Sequence, residues 1–211
     1  MGSEFLTYLR LGMNHIADLR GYDHILFVAA LTLAYRPAEW RRLLILVTAF
    51  TLGHSVTLAL ATLGLVRIPS AVVEASIAAT ILVSSLVAVV YALKTSPAEG
   101  GPMVRHSAEV SSKGQNVRYV LAATFGLIHG LGFSTFLRSL LGAEDSLLIP
   151  LLAFNIGLEA GQLLIVSIVL LVGALVERYL RVARRDWVLM MGSAIAALGC
   201  SMLLQRLIPA S

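Results

Sequence analysis

Several ionisable side chains of this chain fall inside apolar stretches: Asp23, His24, His54, Glu74, His129 and Glu159. A charged or titratable group near the middle of a bilayer costs several kcal/mol, so each needs a partner or a task. His15 stands just ahead of the first apolar stretch. Imidazoles combined with carboxylates suit a divalent first-row transition metal (Ni, Co, Zn, Cu or Fe), whereas an all-oxygen set would suit Mg or Ca. The candidate ligands are therefore His15, Asp23, His24, His54, His129 and Glu159. Asn155, Glu159 and Gln162 recur at i, i+4 and i+7 and share one helix face. A polar stripe of that kind faces a bundle interior, which makes Asn155 and Gln162 companions of the site. Each residue also has a plainer reading. A single membrane histidine often only bonds a neighbouring helix, Glu74 reads as an interfacial carboxylate, and His15 reads equally as a surface residue with Asp18 as its i+3 neighbour.

The segments that carry these residues are long and apolar. Of the 211 residues, 58% are hydrophobic and 13% charged, with a mean hydropathy of +0.85. Soluble domains carry roughly a quarter charged residues. A helical crossing needs about 20 apolar residues, and the alternating pattern of a membrane barrel is absent from the sequence. The expectation is an all-α, polytopic transmembrane bundle. About six spans are expected, near 22–36, 43–66, 70–93, 118–141, 147–176 and 187–208. Before them, Phe5, Leu6, Leu9, Met13 and Ile16 recur at helical spacing with Arg10, Asn14 and Asp18 between, which predicts an amphipathic interfacial helix. Residues 1–5 read as a cloning remnant, and 6–211 as one membrane domain with a polar linker over about 95–117. No signal peptide is read at the N-terminus, and no internal repeat is evident.

Depth and orientation follow from the loops. Eleven of the 16 Lys and Arg residues fall between spans one and two, three and four, and five and six. By the positive-inside rule that side is cytoplasmic, so both termini are expected in the periplasm of a bacterial inner membrane. His54, His129 and Glu159 then lie near mid-span, and Asp23 and His24 at an outer end. Small residues four apart, Gly126 and Gly130, Gly157 and Gly161, allow close helix approach beside these groups. The net charge of +4 is explained by topology, and no nucleic-acid partner is expected. Cys200 is the single cysteine, which excludes an intrachain disulfide and a Cys-based zinc motif. No P-loop, H-E-x-x-H or G-x-S-x-G pattern occurs.

Four ordered blocks resemble the HupE/UreJ family. They are the run from Asn14-His15-Ile16 to Gly21-Tyr22-Asp23-His24-Ile25-Leu26-Phe27, then Thr48-Ala49-Phe50-Thr51-Leu52-Gly53-His54-Ser55, then Phe125-Gly126-Leu127-Ile128-His129-Gly130-Leu131-Gly132-Phe133, then Phe154-Asn155-Ile156-Gly157-Leu158-Glu159-Ala160-Gly161-Gln162. The resemblance implies an accessory membrane protein of hydrogenase or urease maturation, regarded as a nickel or cobalt permease. It implies His15, Asp23, His24, His54, His129, Asn155, Glu159 and Gln162 as motif positions. Nickel and cobalt permeases more broadly carry a shorter His-to-Asp-His spacing on one helix. Here seven residues separate His15 from Asp23, which predicts two helical segments with a turn near Gly21.

Three functions follow. The first is a divalent transition-metal permease of nickel/cobalt type with its site in the outer half of the bilayer. The alternative is an intramembrane metal-dependent hydrolase acting on a lipid or membrane-embedded peptide, with Glu159 as general base. The third is a metal-stabilised accessory protein. The expected partners are the lipid bilayer, the metal ion, and either further copies of the chain or proteins of metalloenzyme maturation.

Overall fold

The structure, a computed structural model, describes residues 2–94, 112–133, 137 and 147–208. Most of the expected polar linker, with Arg105 and His106, lies outside the described residues, as do Met1 and Arg138. The described chain is all-helical and contains no strand. Its helices are α1 (Gly2–Ile16), α2 (Asp23–Leu33), α3 (Trp40–Thr62), α4 (Ser70–Lys94), α5 (Ser112–Gly132), α6 (Leu148–Tyr179) and α7 (Arg184–Leu207), with a 3-10 turn over Pro37–Glu39. Four of them, α3, α4, α6 and α7, are long and apolar enough to cross a membrane. Their outward faces carry exposed aliphatic residues such as Leu52, Val83, Leu171 and Met190, the side expected to meet lipid.

The first expected span differs. α2 has 11 residues, a rise of about 16 Å, which is roughly half of a ~30 Å hydrocarbon core. α1 is helical and one-sided, as its spacing predicts: Tyr8, Gly12 and Ile16 are buried, while Glu4, Leu6, Arg10 and Asn14 are exposed. It is packed lengthwise on α6. Leu9 lies on Gly157, Gly12 on Phe154 and Leu158, and Met13 and Ile16 on Gly161, so the two helices run in the same sense. Phe5, inside the expected remnant, packs against the core. α2 continues along α6 in the same sense. Its Leu31 and Thr32 share a small cavity with Gln162 and Val166. α1 and α2 are therefore two halves of one broken path. At the break, Asp18 Oδ1 accepts the Arg20 backbone N–H at 2.9 Å, a local turn that competes with helix continuation.

A second helix pair repeats the contact. Gly53 of α3 faces Ala123 and Leu127 of α5, Gly126 faces Phe50 and His54, and Gly130 faces His54 and Thr57. The register matches that of α1 on α6: in each pair a glycine of the first helix meets a backbone carbonyl, and two glycines four apart on the second receive the first helix's backbone. The sequence shows only the four-residue glycine spacings; the backbone shows that they are used twice in one way. α7 packs antiparallel on α4, with Gly199 at Leu82 and Gly192 at Ser85 and Val89.

The end of the bundle that holds Tyr35 and Arg184 is tied by polar contacts. The Arg184 guanidinium donates to Glu177 at 2.9 Å, to the Leu33 carbonyl at 3.0 Å and to the Tyr35 carbonyl. Carbonyls at a helix C-terminus have no intrahelical partner, and a cation there satisfies them.

A Cβ added at Gly12 or Gly53 would overlap a backbone carbonyl oxygen. Gly12→Leu and Gly53→Leu are expected to destabilise by at least about 1–3 kcal/mol, the usual range for overpacking. Gly21→Ala, where the nearest atom is 3.8 Å away, is expected to be tolerated. Thermal unfolding in detergent of the three variants checks this, and equal midpoints would contradict the close packing.

Candidate metal centre

The break between α1 and α2 brings distant histidines together. The last turn of α1 carries His15, and the first turn of α2 carries Asp23 and His24. α3 presents His54 and α5 presents His129. Ring centroids of His15 and His24 are 4.6 Å apart, His15 and His54 6.1 Å, His24 and His54 6.4 Å, and His24 and His129 5.0 Å. One ring nitrogen from each of His15, His24 and His54 lies within 4.8 Å of the others. A Zn–N bond of about 2.0–2.1 Å places tetrahedral ligand atoms roughly 3.3 Å apart, so small ring rotations would close this triad on an ion.

The chemistry of the donor set fits such an ion. His24 is buried, and His54 and His129 are wholly buried. His15 Nε2, His24 Nε2 and both ring nitrogens of His54 have no hydrogen-bond partner. Buried polar atoms are almost always paired, and an unpaired cluster calls for an explanation such as a cation. The Asp23 carboxylate can only accept, so its 2.9 Å contact with His24 Nδ1 places the proton there and leaves Nε2 as a lone-pair donor. Asp23 Oδ1 also accepts the His24 backbone N–H at 2.8 Å, which locks the pair. Thr80 gives its hydroxyl proton to the Ile77 carbonyl at 2.7 Å. It therefore accepts from His129 Nε2 at 2.9 Å, and His129 Nδ1 remains without a partner. His129 thus borders the triad through His24 and keeps one free lone pair.

Aromatic rings enclose the imidazoles. Phe133 stands 3.9 Å from His15, Phe27 4.6 Å and Phe50 5.3 Å from His129, and Phe154 stacks on His54 at 6.4 Å. These four phenylalanines and Thr80 are missing from the residues read as functional. The phenylalanines do occur in the four sequence blocks; nothing in the sequence marks Thr80.

The stripe on α6 forms a neighbouring polar set. Thr48 donates to Glu159 at 2.5 Å, and Thr51 donates to Gln162 at 2.8 Å. Asn155 donates to the Leu151 carbonyl at 2.8 Å, and its buried Oδ1 has no partner. Glu159 is thus held by α3 and is not among the groups whose donor atoms converge with His15, His24 and His54. Ser55 and Thr57 bond back to their own helix. Glu74 pairs with Arg206 at 2.7 Å near the chain's far end, the surface role its sequence suggests.

Apolar spans, a broken helix and converging buried imidazoles define a helical membrane protein with a candidate metal centre. The chain belongs to the HupE / UreJ protein family, whose model matches residues 1–206. No curated protein and no solved structure matches it.

Outer groups that hold a ligating histidine usually matter about 10–100-fold in metal affinity. Asp23→Asn is expected to weaken binding of added Ni or Co by that factor without unfolding the protein. Competition titration with a metal-sensitive dye measures it, and an unchanged affinity would remove Asp23 from the site.

Proposed function

We propose that this protein is a permease for a divalent transition metal of the nickel/cobalt type. The observation that carries this reading is the triad of His15, His24 and His54, drawn from three helices, with His24 and His54 buried, His15 half-buried, and ring nitrogens unpaired on all three. Broken membrane helices form ion sites at their breaks in many transporters, and His15 and His24 flank such a break. Transport also requires release. Thr51 with Gln162 and Thr48 with Glu159 continue a polar route along α3 toward its Trp40 end. In this reading α1 and α2 together make the first of six crossings, and α5, paired along α3, makes the fourth. The basic loops face the cytoplasm of a bacterial inner membrane, and both termini face the periplasm. His15, His24, His54 and His129 receive the metal, Asp23 orients His24, and Asn155, Glu159 and Gln162 pass it inward.

One observation favours the hydrolase reading instead. Three histidines with an open fourth position, one of them held by a carboxylate, also describe a catalytic zinc site. Against it, Glu159, the expected general base, is bound to Thr48 and stands outside the triad.

Purified protein reconstituted in vesicles with a metal-responsive dye inside separates the two. A permease gives dye quenching on addition of Ni or Co, lost in His54→Ala and slowed about tenfold or more in Glu159→Gln while binding persists. A metal retained through purification, absent flux and loss of that metal in His54→Ala would sink the permease and support the hydrolase.

A further inference from the structure

A second cavity lies between α2, α4 and α5, apart from the imidazoles. Its walls are almost entirely apolar and include Ala34, Val83, Val87, Leu121 and Phe125. Val83, Val87 and Leu121 are 45, 47 and 40% exposed, so the cavity opens sideways, between α4 and α5, onto the surface that meets lipid. Its enclosed part is small, about 50 Å³, so most of an occupant would lie along the open side, against Val83, Val87 and Leu121. Its inner end is closed by Phe125, which stands edge-on to Phe27 at 5.9 Å. Phe27 in turn covers His129, so an aromatic layer separates this cleft from the candidate metal centre.

Two polar groups face the cleft. Arg118 lines it at the same end of the bundle as Arg184 and Glu177. Its guanidinium lies 5.4 Å from the Tyr35 ring and 5.2 Å from the Tyr91 ring. Among the described residues no carboxylate pairs with it. The two rings hold the cation in place and leave its donors to an anion. Ser84 also lines the cleft, is 6% exposed, and its hydroxyl has no hydrogen-bond partner. An apolar groove open to lipid with a cation at one end matches one kind of molecule. The apolar length has no use to a free anion, and the arginine has little to offer a neutral hydrocarbon. Basic pockets between membrane helices on the cytoplasmic side are known binding places for anionic headgroups.

We propose that the cleft between α2, α4 and α5 holds one acyl chain of an anionic phospholipid, with the lipid phosphate on Arg118. The lipid would wedge α5, which carries His129, against α2, which carries His24.

Native mass spectrometry of the full chain in detergent tests this, with phosphatidylglycerol and phosphatidylcholine of equal chain length offered together. The expected result is one retained phosphatidylglycerol per chain, preferred about tenfold over phosphatidylcholine. Arg118→Gln is expected to abolish the preference, and Arg118→Lys to keep most of it. Val87→Trp fills the exposed mouth without touching the buried core and is expected to prevent retention. It also carries the test if Arg118→Gln fails to fold. Equal retention of both lipids would overturn the proposal. So would retention that survives Val87→Trp, since the chain would then lie elsewhere, and so would displacement of the lipid by inorganic phosphate at millimolar concentration, which would make the cleft a plain anion site.

Discussion

At the level of the histidines, glycines bring α1 close to α6 and α3 close to α5. Gly12, Gly157 and Gly161 in one pair, and Gly53, Gly126 and Gly130 in the other, let backbones touch. Between apolar helices in lipid there is no hydrophobic drive for association, and van der Waals contact at small residues takes its place. Everything at the candidate metal centre hangs on these two contacts. One fixes the end of α1 against α6 and so delivers His15. The other fixes α3 against α5 and so delivers His54 and His129 at one level. A methyl group at either contact would push the backbones apart by more than the few tenths of an ångström that a metal site tolerates.

The same geometry creates an electrostatic problem that the protein leaves partly open. Buried polar groups are costly unless paired. Asp23 pairs one nitrogen of His24, and Thr80 pairs one nitrogen of His129. The remaining ring nitrogens, both of those on His54 included (one a donor and one a lone pair in the neutral ring), are unpaired among Phe27, Phe50, Phe133 and Phe154. A dry aromatic wall strengthens the attraction of these nitrogens for a cation, because nothing else competes for either partner. Further along α3, hydroxyls from Thr48 and Thr51 satisfy Glu159 and Gln162. The centre is thus divided into a nitrogen-rich cluster with unpaired ring nitrogens and an oxygen-rich set tied to α3 through Thr48 and Thr51, with Asn155 Oδ1 still unpaired.

The broken path through α1 and α2 links the two. A continuous helix would bury its backbone hydrogen bonds internally and offer only side chains. The interruption at residues 17–22 places a helix end and a helix start side by side, so that His15 and His24 meet although nine positions separate them in sequence. Arg184 then anchors the far end of α2 by its final carbonyls.

Much of this was legible in the sequence. Long apolar runs with few charges determine helices, because hydrocarbon leaves the backbone no other way to satisfy its hydrogen bonds. Four ordered blocks determine the family. The seven residues between His15 and Asp23 foretell two helical segments, and the i, i+4, i+7 spacing of Asn155, Glu159 and Gln162 foretells a stripe turned toward a neighbour. The mixed composition of α1 did not foretell its packing on α6, because a helix packed by glycines onto another needs little apolar character of its own. Periodicity gives the face of the helix that carries Glu159 but not which helix stands opposite. Thr80 carried no signal at all. Only the tertiary structure decided that α3 receives Glu159 through Thr48, that Thr80 orients His129, and that His15, His24 and His54 share one space. Those choices depend on distances between segments far apart in the chain, and they are set by where two backbones can touch.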